Sequence, residues 1–353
     1  MLRSHLALAG CLTAALLSLA GCGGTTEDQP VPDETGLVPP ARGPDKPGDG
    51  EGVVLAVDKL FLGEADREGK EDKNAWKEFG YNLDGKISSA GSTGLCKPVG
   101  TATASTVYPD GNQGIDNSFG KNIVTIIHGL APNPSTEINN SIAEGSFTLM
   151  LSLENLGAEA DYNPLTGRLY VGASMGAAPK WDGTDMWPIV PEFLNDPMDI
   201  KSSKVVFDKS YLVQNTWVSG SNSTLNLSIA VAGYSLTLPI SNAVITMELQ
   251  EDHKGAMNGT IAGILPTEQL ISELKKIIGS LGSNLCSGST VEGILNQIRQ
   301  ASDILTDGTQ DPNKTCDGIS VGIGFTAKQV KLGSVAEPAA PAEDPCAEDP
   351  SGS

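Results

Sequence analysis

The chain has 353 residues, of which 43 are Asp or Glu and 23 are Lys or Arg, for a formal net charge of −20 at pH 7. Such a balance repels nucleic acid and anionic headgroups and excludes a nucleic-acid-binding role. Only three histidines are present, with no His-Glu-x-x-His spacing, which argues against a zinc enzyme.

Residues 1–21 have the three parts of a secretory leader: a basic start at Arg3, an uncharged apolar run from Leu6 to Ala20, and small residues before a cleavage point. The run is shorter than the roughly 20 residues a membrane span needs. Leu19-Ala20-Gly21-Cys22 resembles the lipobox of bacterial lipoproteins. The resemblance implies cleavage before Cys22, a thioether-linked diacylglyceryl group on its sulfur and acylation of its freed amine. It implies a cell-envelope protein whose first partner is the lipid bilayer. Gly23, where an Asp would retain an enterobacterial lipoprotein in the inner membrane, points to the outer membrane.

Residues 23–52 contain six Pro, seven Gly and seven acids. With so little apolar surface, 22–52 reads as a lipidated cysteine followed by a disordered linker. Residues 335–353 repeat that composition and read as a disordered acidic tail. The folded part is expected over 53–334 as one domain.

Val53 to Leu62 opens that domain as a strand. Val53, Leu55 and Val57 share one face and Leu60 and Leu62 the other, so a bulge or two-sided burial is expected. Glu64 to Asn74 is charged and reads as surface loop, and Asp84-Gly85 as a turn. Residues 86–114 look like an extended loop. Asp116 suits a helix N-cap, with Ile123, Ile126, Ile127 and Leu130 on an apolar face; His128 on the same helix reads as structural. Strands follow at Ser146–Leu153 and Arg168–Ala173, then an irregular loop over 176–200. Further strands are predicted at 204–207, 211–218, 224–231, 235–240, 244–249 and 257–265, with Ala232-Gly233 as a tight hairpin. Helices begin at Thr267 and at Ser289 or Thr290. Ile319 to Ala327 alternates as a last strand. Nine or ten strands with about three helices and no βαβ alternation predict a mainly β fold. The expected form is an antiparallel sandwich, jelly-roll or concanavalin-like by analogy of strand count.

Once Cys11 leaves with the leader and Cys22 takes lipid, Cys96, Cys286, Cys316 and Cys346 remain in an oxidising compartment. Three connectivities are open. The spacing favours Cys286–Cys316 around one helix, with Cys96–Cys346 tying back the tail.

Three patterns carry chemistry. Asp110, Asn112 and Asp116 offer oxygens at intervals with glycines between them, as in aspartate-rich calcium loops, although Lys121 stands where an EF-hand has its bidentate Glu. Residues 307–313 are a weaker version. No other cofactor is expected. Trp181, Asp182, Asp185 and Trp187 place two indoles and two acids in one loop, a set that could stack and hydrogen-bond a sugar. Gly172-Ala173-Ser174-Met175-Gly176 matches a nucleophile elbow, but Pro179 and Asp182-Gly183 break the helix that must follow.

Phe79 to Ser88, then Cys96, then Asp110–Ile123 resemble a group of uncharacterised surface lipoproteins of myxobacteria. The resemblance covers the N-terminal third of the domain and brings no activity with it. The function expected is that of a non-enzymatic envelope lipoprotein binding a glycan or a surface protein. A secreted hydrolase acting on carbohydrate and a structural envelope protein without a ligand are the alternatives.

Overall fold

The computed structural model describes residues 36–130, 134–220, 223–231, 234–277 and 288–338. In chain order the strands and helices are β1 (Val53–Phe61), α1 (Ala104–Val107), α2 (Val124–Leu130), α3 (Pro134–Ala143), β2 (Thr148–Glu154), β3 (Tyr162–Gly172), β4 (Met186–Ile189), β5 (Val205–Val213), β6 (Thr216–Val218), β7 (Ser223–Val231), β8 (Tyr234–Leu249), β9 (Gly255–Pro266), α4 (Thr267–Ile277), α5 (Ser289–Gln300) and β10 (Gly318–Val335). The fold is mainly β, as composition and alternation predict. Five α-helices stand among the described residues where about three were expected.

All ten strands belong to one mixed sheet. β1 pairs with β2, β2 with β3, β3 with β5, β5 with β6, β6 with β8, β8 with β9, β9 with β10, and β10 returns to β1, every step antiparallel. Eight strands therefore close into a barrel, and the expected sandwich gives way to an arrangement that removes both sheet edges. β4 lies parallel to β10 outside this cycle, and β7 extends β8 as a hairpin arm.

One apolar cluster draws residues from all eight barrel strands, so it fills the interior. β10 contributes Ile319, Val321, Ile323, Phe325 and Ala327, every second residue. β1 contributes Leu55 and Val57, then Leu60 and the following Leu62; the register shift between Val57 and Lys59 reverses the parity that the sequence pattern had exposed. Helices close the mouth where β1 and β9 end and β2 and β10 begin. Ile123, Ile138, Ile142, Leu270, Leu295 and Ile298 add to the same cluster.

The outer face is clothed by loops. Trp187, Ile189 and Leu194 cover Ala56, Met150, Tyr170 and Val330. Phe79 lies against β10 at Gly322 and Gly324 and stacks on Phe61 with ring centroids 6.0 Å apart. Residues 36–52, read as part of a disordered linker, run along the barrel instead. Leu37 N–H donates to Gln113 O, Tyr211 Oη–H to Pro40 O, and Tyr162 Oη–H to Asp49, while Lys46 and Asn163 exchange backbone bonds. Glycine is required where this strap meets the barrel: a Cβ on Gly48 or Gly50 would stand 2.3 Å from the carbonyl of Asn155 or Leu156. The composition that suggested disorder serves close backbone approach here.

The disulfide expectation is corrected. Cys96 bonds to Cys316 with Cα atoms 5.1 Å apart. Lys97 and Thr315 form a parallel bridge beside it, so backbone pairing brings together residues 220 apart in sequence. This excludes both Cys286–Cys316 and Cys96–Cys346. Cys286 and Cys346, like the leader, Cys22, residues 23–35, Ala232-Gly233 and the tail beyond 338, lie outside the described residues.

Candidate functional site

The Asp110 loop does not assemble as a calcium loop. Asn112 is exposed in a 3-10 turn, and the residues around it direct their oxygens elsewhere. The Asp110 carboxylate accepts the Ser88 N–H, and Asp116 accepts the Leu83 N–H at 2.7 Å and the Asp84 N–H at 3.4 Å. Asp110 and Asp116 are instead brought into one electrostatic neighbourhood with Asp84 and Asp303. Among the described residues no three His, Cys, Asp or Glu side chains are arranged to hold a metal ion. The cluster is nonetheless unusual. Burial, with Asp84 and Asp303 adding repulsion, pushes Asp110 up to about 7. Burial pushes Asp303 up to about 7 against the opposing bonds from Ser320, and raises Asp116 well above the ordinary carboxylate range. Lys121 faces Asp303 and Asp110 from the start of the α2 region, and burial lowers its pKa. The sequence marked Asp84-Gly85 as a turn and gave no sign that Asp303 would join it. Asp307 bonds Thr309 within its own turn, a local arrangement that any solvated Asx turn adopts.

The tryptophan loop is built for packing. Trp187 is fully buried and its indole N–H donates to Ala173 O at 2.8 Å. Asp185, also buried, accepts the backbone N–H groups of Lys180 and Trp181. Asp182 is exposed and bonded to Thr184 within its own turn. Half-buried Trp181 leans on Trp187 with centroids 5.5 Å apart, and the Lys328 ammonium lies 5.9 Å from its ring. The loop does not present two indoles and two acids to a ligand.

Ser174 is exposed and its hydroxyl accepts the Gly176 N–H. His253 is buried near the opposite mouth, with Nδ1 2.9 Å from Gly157 O and Nε2 3.2 Å from Asn215 Oδ1. The elbow and the histidine are therefore held by separate, structural contacts. His128, read as structural, is exposed on α2.

A site that the sequence did not suggest lies on the outer face of β6, β8 and β9. A cavity of about 280 Å³ is lined there by Arg67, Glu78, Tyr81, Thr216, Glu248 and Asn258 among others. Tyr81 shares a 2.8 Å hydrogen bond with Thr246, which fixes its hydroxyl at the floor. Glu248 accepts the Asn258 amide at 2.8 Å on the rim. The Arg67 guanidinium lies 4.8 Å from the centre of the Phe79 ring and donates to Gly259 O at 3.1 Å and Thr260 Oγ1 at 3.3 Å. Both bonds go to neutral acceptors. No carboxylate among the described residues comes within ion-pair distance of Arg67, although acids outnumber bases nearly two to one. Burial lowers its pKa, with Glu78 opposing. A half-buried guanidinium with donors to spare is a recognition group for carboxylate or phosphate. Only the charge of Arg67 was visible in the Glu64–Asn74 run; its burial depends on strands almost 200 residues away.

Comparison of the chain with protein-family models, with curated proteins and with solved structures gives no match in any of the three.

Proposed function

We propose that this chain is a lipid-anchored protein of the bacterial cell envelope that acts as a non-enzymatic binding module, taking an acidic glycan end in the Arg67 cavity. The single observation that carries the reading is the Arg67 guanidinium, half-buried over a cavity and bonded only to neutral oxygens. A uronate carboxylate supplies the direct ion pair that Glu78, which acts on Arg67 only at longer range, does not make. Thr216, Asn258 and Glu248 supply donors and acceptors for ring hydroxyls.

The address rests on the lipobox at Leu19-Ala20-Gly21-Cys22 and its likeness to myxobacterial surface lipoproteins. Localisation is tested by metabolic labelling with a fatty-acid analogue: Cys22→Ser should abolish the label.

Binding is tested by titrating the purified chain with glucuronate-terminated oligosaccharides and their neutral glucose counterparts. The acidic series should bind, Arg67→Gln should remove that preference, and Trp181→Ala should leave it unchanged. Equal binding of the two series by the wild type would remove Arg67 from the argument.

A further inference from the structure

The Arg67 cavity carries both signs of charge, each held in place. The guanidinium is pinned by Gly259 O, Thr260 Oγ1 and the Phe79 ring. Glu248 stands on β8, where its backbone is fixed between Thr216 of β6 and Met257 of β9. One oxygen of its carboxylate accepts the Asn258 side-chain amide at 2.8 Å. A β-bulge aims that amide. The register of β8 against β9 slips between Thr246, opposite Thr260, and Glu248, opposite Met257. Asn258 lies inside the slip with a φ of +50°. Asparagine tolerates this left-handed backbone better than most residues, and bulges re-aim side chains beside functional sites.

The charges around the cavity do not cancel. Arg67 is the one cation among its described lining residues, against Glu78 and Glu248. Neither acid forms an ion pair with a base among the described residues. A ligand with a carboxylate alone satisfies Arg67 but brings a third negative charge beside the two acids. A ligand that also carries an ammonium answers both signs. The other walls suit a sugar ring. Tyr81 and Thr216 offer hydroxyls, and the strap offers an apolar side at Pro40 and at Val38, which is 51% exposed. A ring spreads its charges across its width and lays an apolar face against such a wall. At about 280 Å³ the cavity lies near the lower limit of about 300 Å³ for ligand pockets, so it takes a single ring.

We infer that the ligand of this cavity is an aminouronate end residue, whose carboxylate meets Arg67 and whose ammonium meets Glu248. On the reading that the Arg67 cavity takes a glycan end, the ligand is thereby narrowed from acidic sugars to zwitterionic ones.

Calorimetric titration of the purified chain with methyl glycosides tests the assignment. The probes are the neutral glucoside, the glucuronide, and glucuronides in which an ammonium replaces the hydroxyl at C2, C3 or C4 in turn. At least one amino form should bind about tenfold more tightly than the glucuronide, the gain of one charge-assisted hydrogen bond. Glu248→Gln keeps an acceptor for Asn258 and removes the charge. It should shrink that gain to within about twofold without weakening the glucuronide. Equal wild-type affinity for the glucuronide and all three amino forms overturns the aminouronate assignment, and a gain that survives in Glu248→Gln overturns the role of Glu248. In both cases a glucuronide preferred over the glucoside leaves the Arg67 reading standing. A glucuronide bound no better than the glucoside removes that reading and the aminouronate with it. β-Alanine, which carries both charges and no ring, should bind far more weakly; affinity equal to that of the best amino form overturns the sugar class.

Discussion

The side-chain amide of Asn117 meets both backbone groups of Gly322, donating to its carbonyl at 3.0 Å and accepting its N–H at 3.0 Å. The same amide reaches the carbonyls of Trp76 and Phe79 at 3.1 Å and accepts the Gly120 N–H. One buried side chain thus fastens the outer loop to the middle of β10. On the other side of the contact, a Cβ at position 322 would stand 2.1 Å from Phe79 O. Asn117→Ala should cost roughly 2–4 kcal/mol, since several buried polar groups lose their partner together. Gly322→Ala should cost at least as much, because rigid backbone has to move. Urea denaturation of each variant measures both.

The Cys96–Cys316 bond closes a loop of 220 residues. In the chain-entropy account a loop of that length is worth up to about 5 kcal/mol through the unfolded state. Cys96→Ser should therefore lower the melting temperature markedly, while Cys286→Ser should not. Peptide mapping under non-reducing conditions should recover Cys96 joined to Cys316.

What was legible in the sequence follows from what each pattern depends on. Alternation in β10 and the parity change in β1 are local, and both appear in the structure with the expected residues on the interior face. Residues 235–240 and 244–249 read as separate strands, yet they form the single strand β8, with a register shift between Ser241 and Val244. α3 was missed because its sequence is polar and only Ile138 and Ile142 supply a buried apolar stripe. β4 was missed because its four residues sit inside a Pro- and Asp-rich loop and are held by β10, far along the chain. Barrel closure depends on β1 meeting β10 and β3 meeting β5. The places of the first and last strands at the two limits of the domain suggest the first of these pairings; no local pattern encodes the second. The candidate site was less legible still. Asp110 and Asp116 were singled out for a metal, but their partners Asp84 and Asp303 come from other segments, as do the groups that bury Arg67.

The two indoles at 181 and 187 should respond differently to truncation. Trp187 is wholly buried between β3, β4 and β10, and a Cβ at Gly172 would already touch its ring at 2.5 Å. Trp187→Ala should cost about 3–5 kcal/mol in denaturant unfolding, as large cavities in packed layers do. Trp181 is half-exposed, so Trp181→Ala should cost about 1 kcal/mol or less. Equal costs would show that the loop is not layered as described.

The pH profile of global stability checks the raised pKa values of Asp303 and Asp110. Burial raises Asp303 and Asp110 to about 7, so the folded protein binds protons that the unfolded chain has released. Melting temperature should fall from pH 5.5 to pH 8.5. Asp303→Asn keeps an acceptor for the Ser320 N–H and removes the charge. It should raise the melting temperature at pH 8.5 relative to wild type and have little effect at pH 4, where the wild-type group is already neutral. A uniform loss at both pH values would mean that Asp303 acts only through its hydrogen bonds.

The strap yields the last test. Its backbone pairs with β3 at Lys46 and with neighbouring loops at Leu37, Gly50 and Gly52, and the Arg42 guanidinium lies 4.4 Å from the centre of the Tyr211 ring. Beneath it lie Tyr81, Tyr211, Val218, Val244 and Ala262, an apolar patch on the outside of the barrel, with Leu37 packed against them. A chain beginning at residue 36 should keep full stability. A chain beginning at residue 53 should expose that patch and leave the Asn155, Leu156 and Asn163 backbone groups to water. For a domain of this size each kcal/mol shifts the melting point by about 2–4 °C. Loss of the strap, worth several kcal/mol, should then lower it by about 10 °C and increase binding of a hydrophobic dye. The length of chain between the strap and Cys22 should not matter to stability: inserting a flexible decapeptide after Thr35 should leave the melting point unchanged. Equal stability of the two truncated chains would return residues 36–52 to the status of a linker.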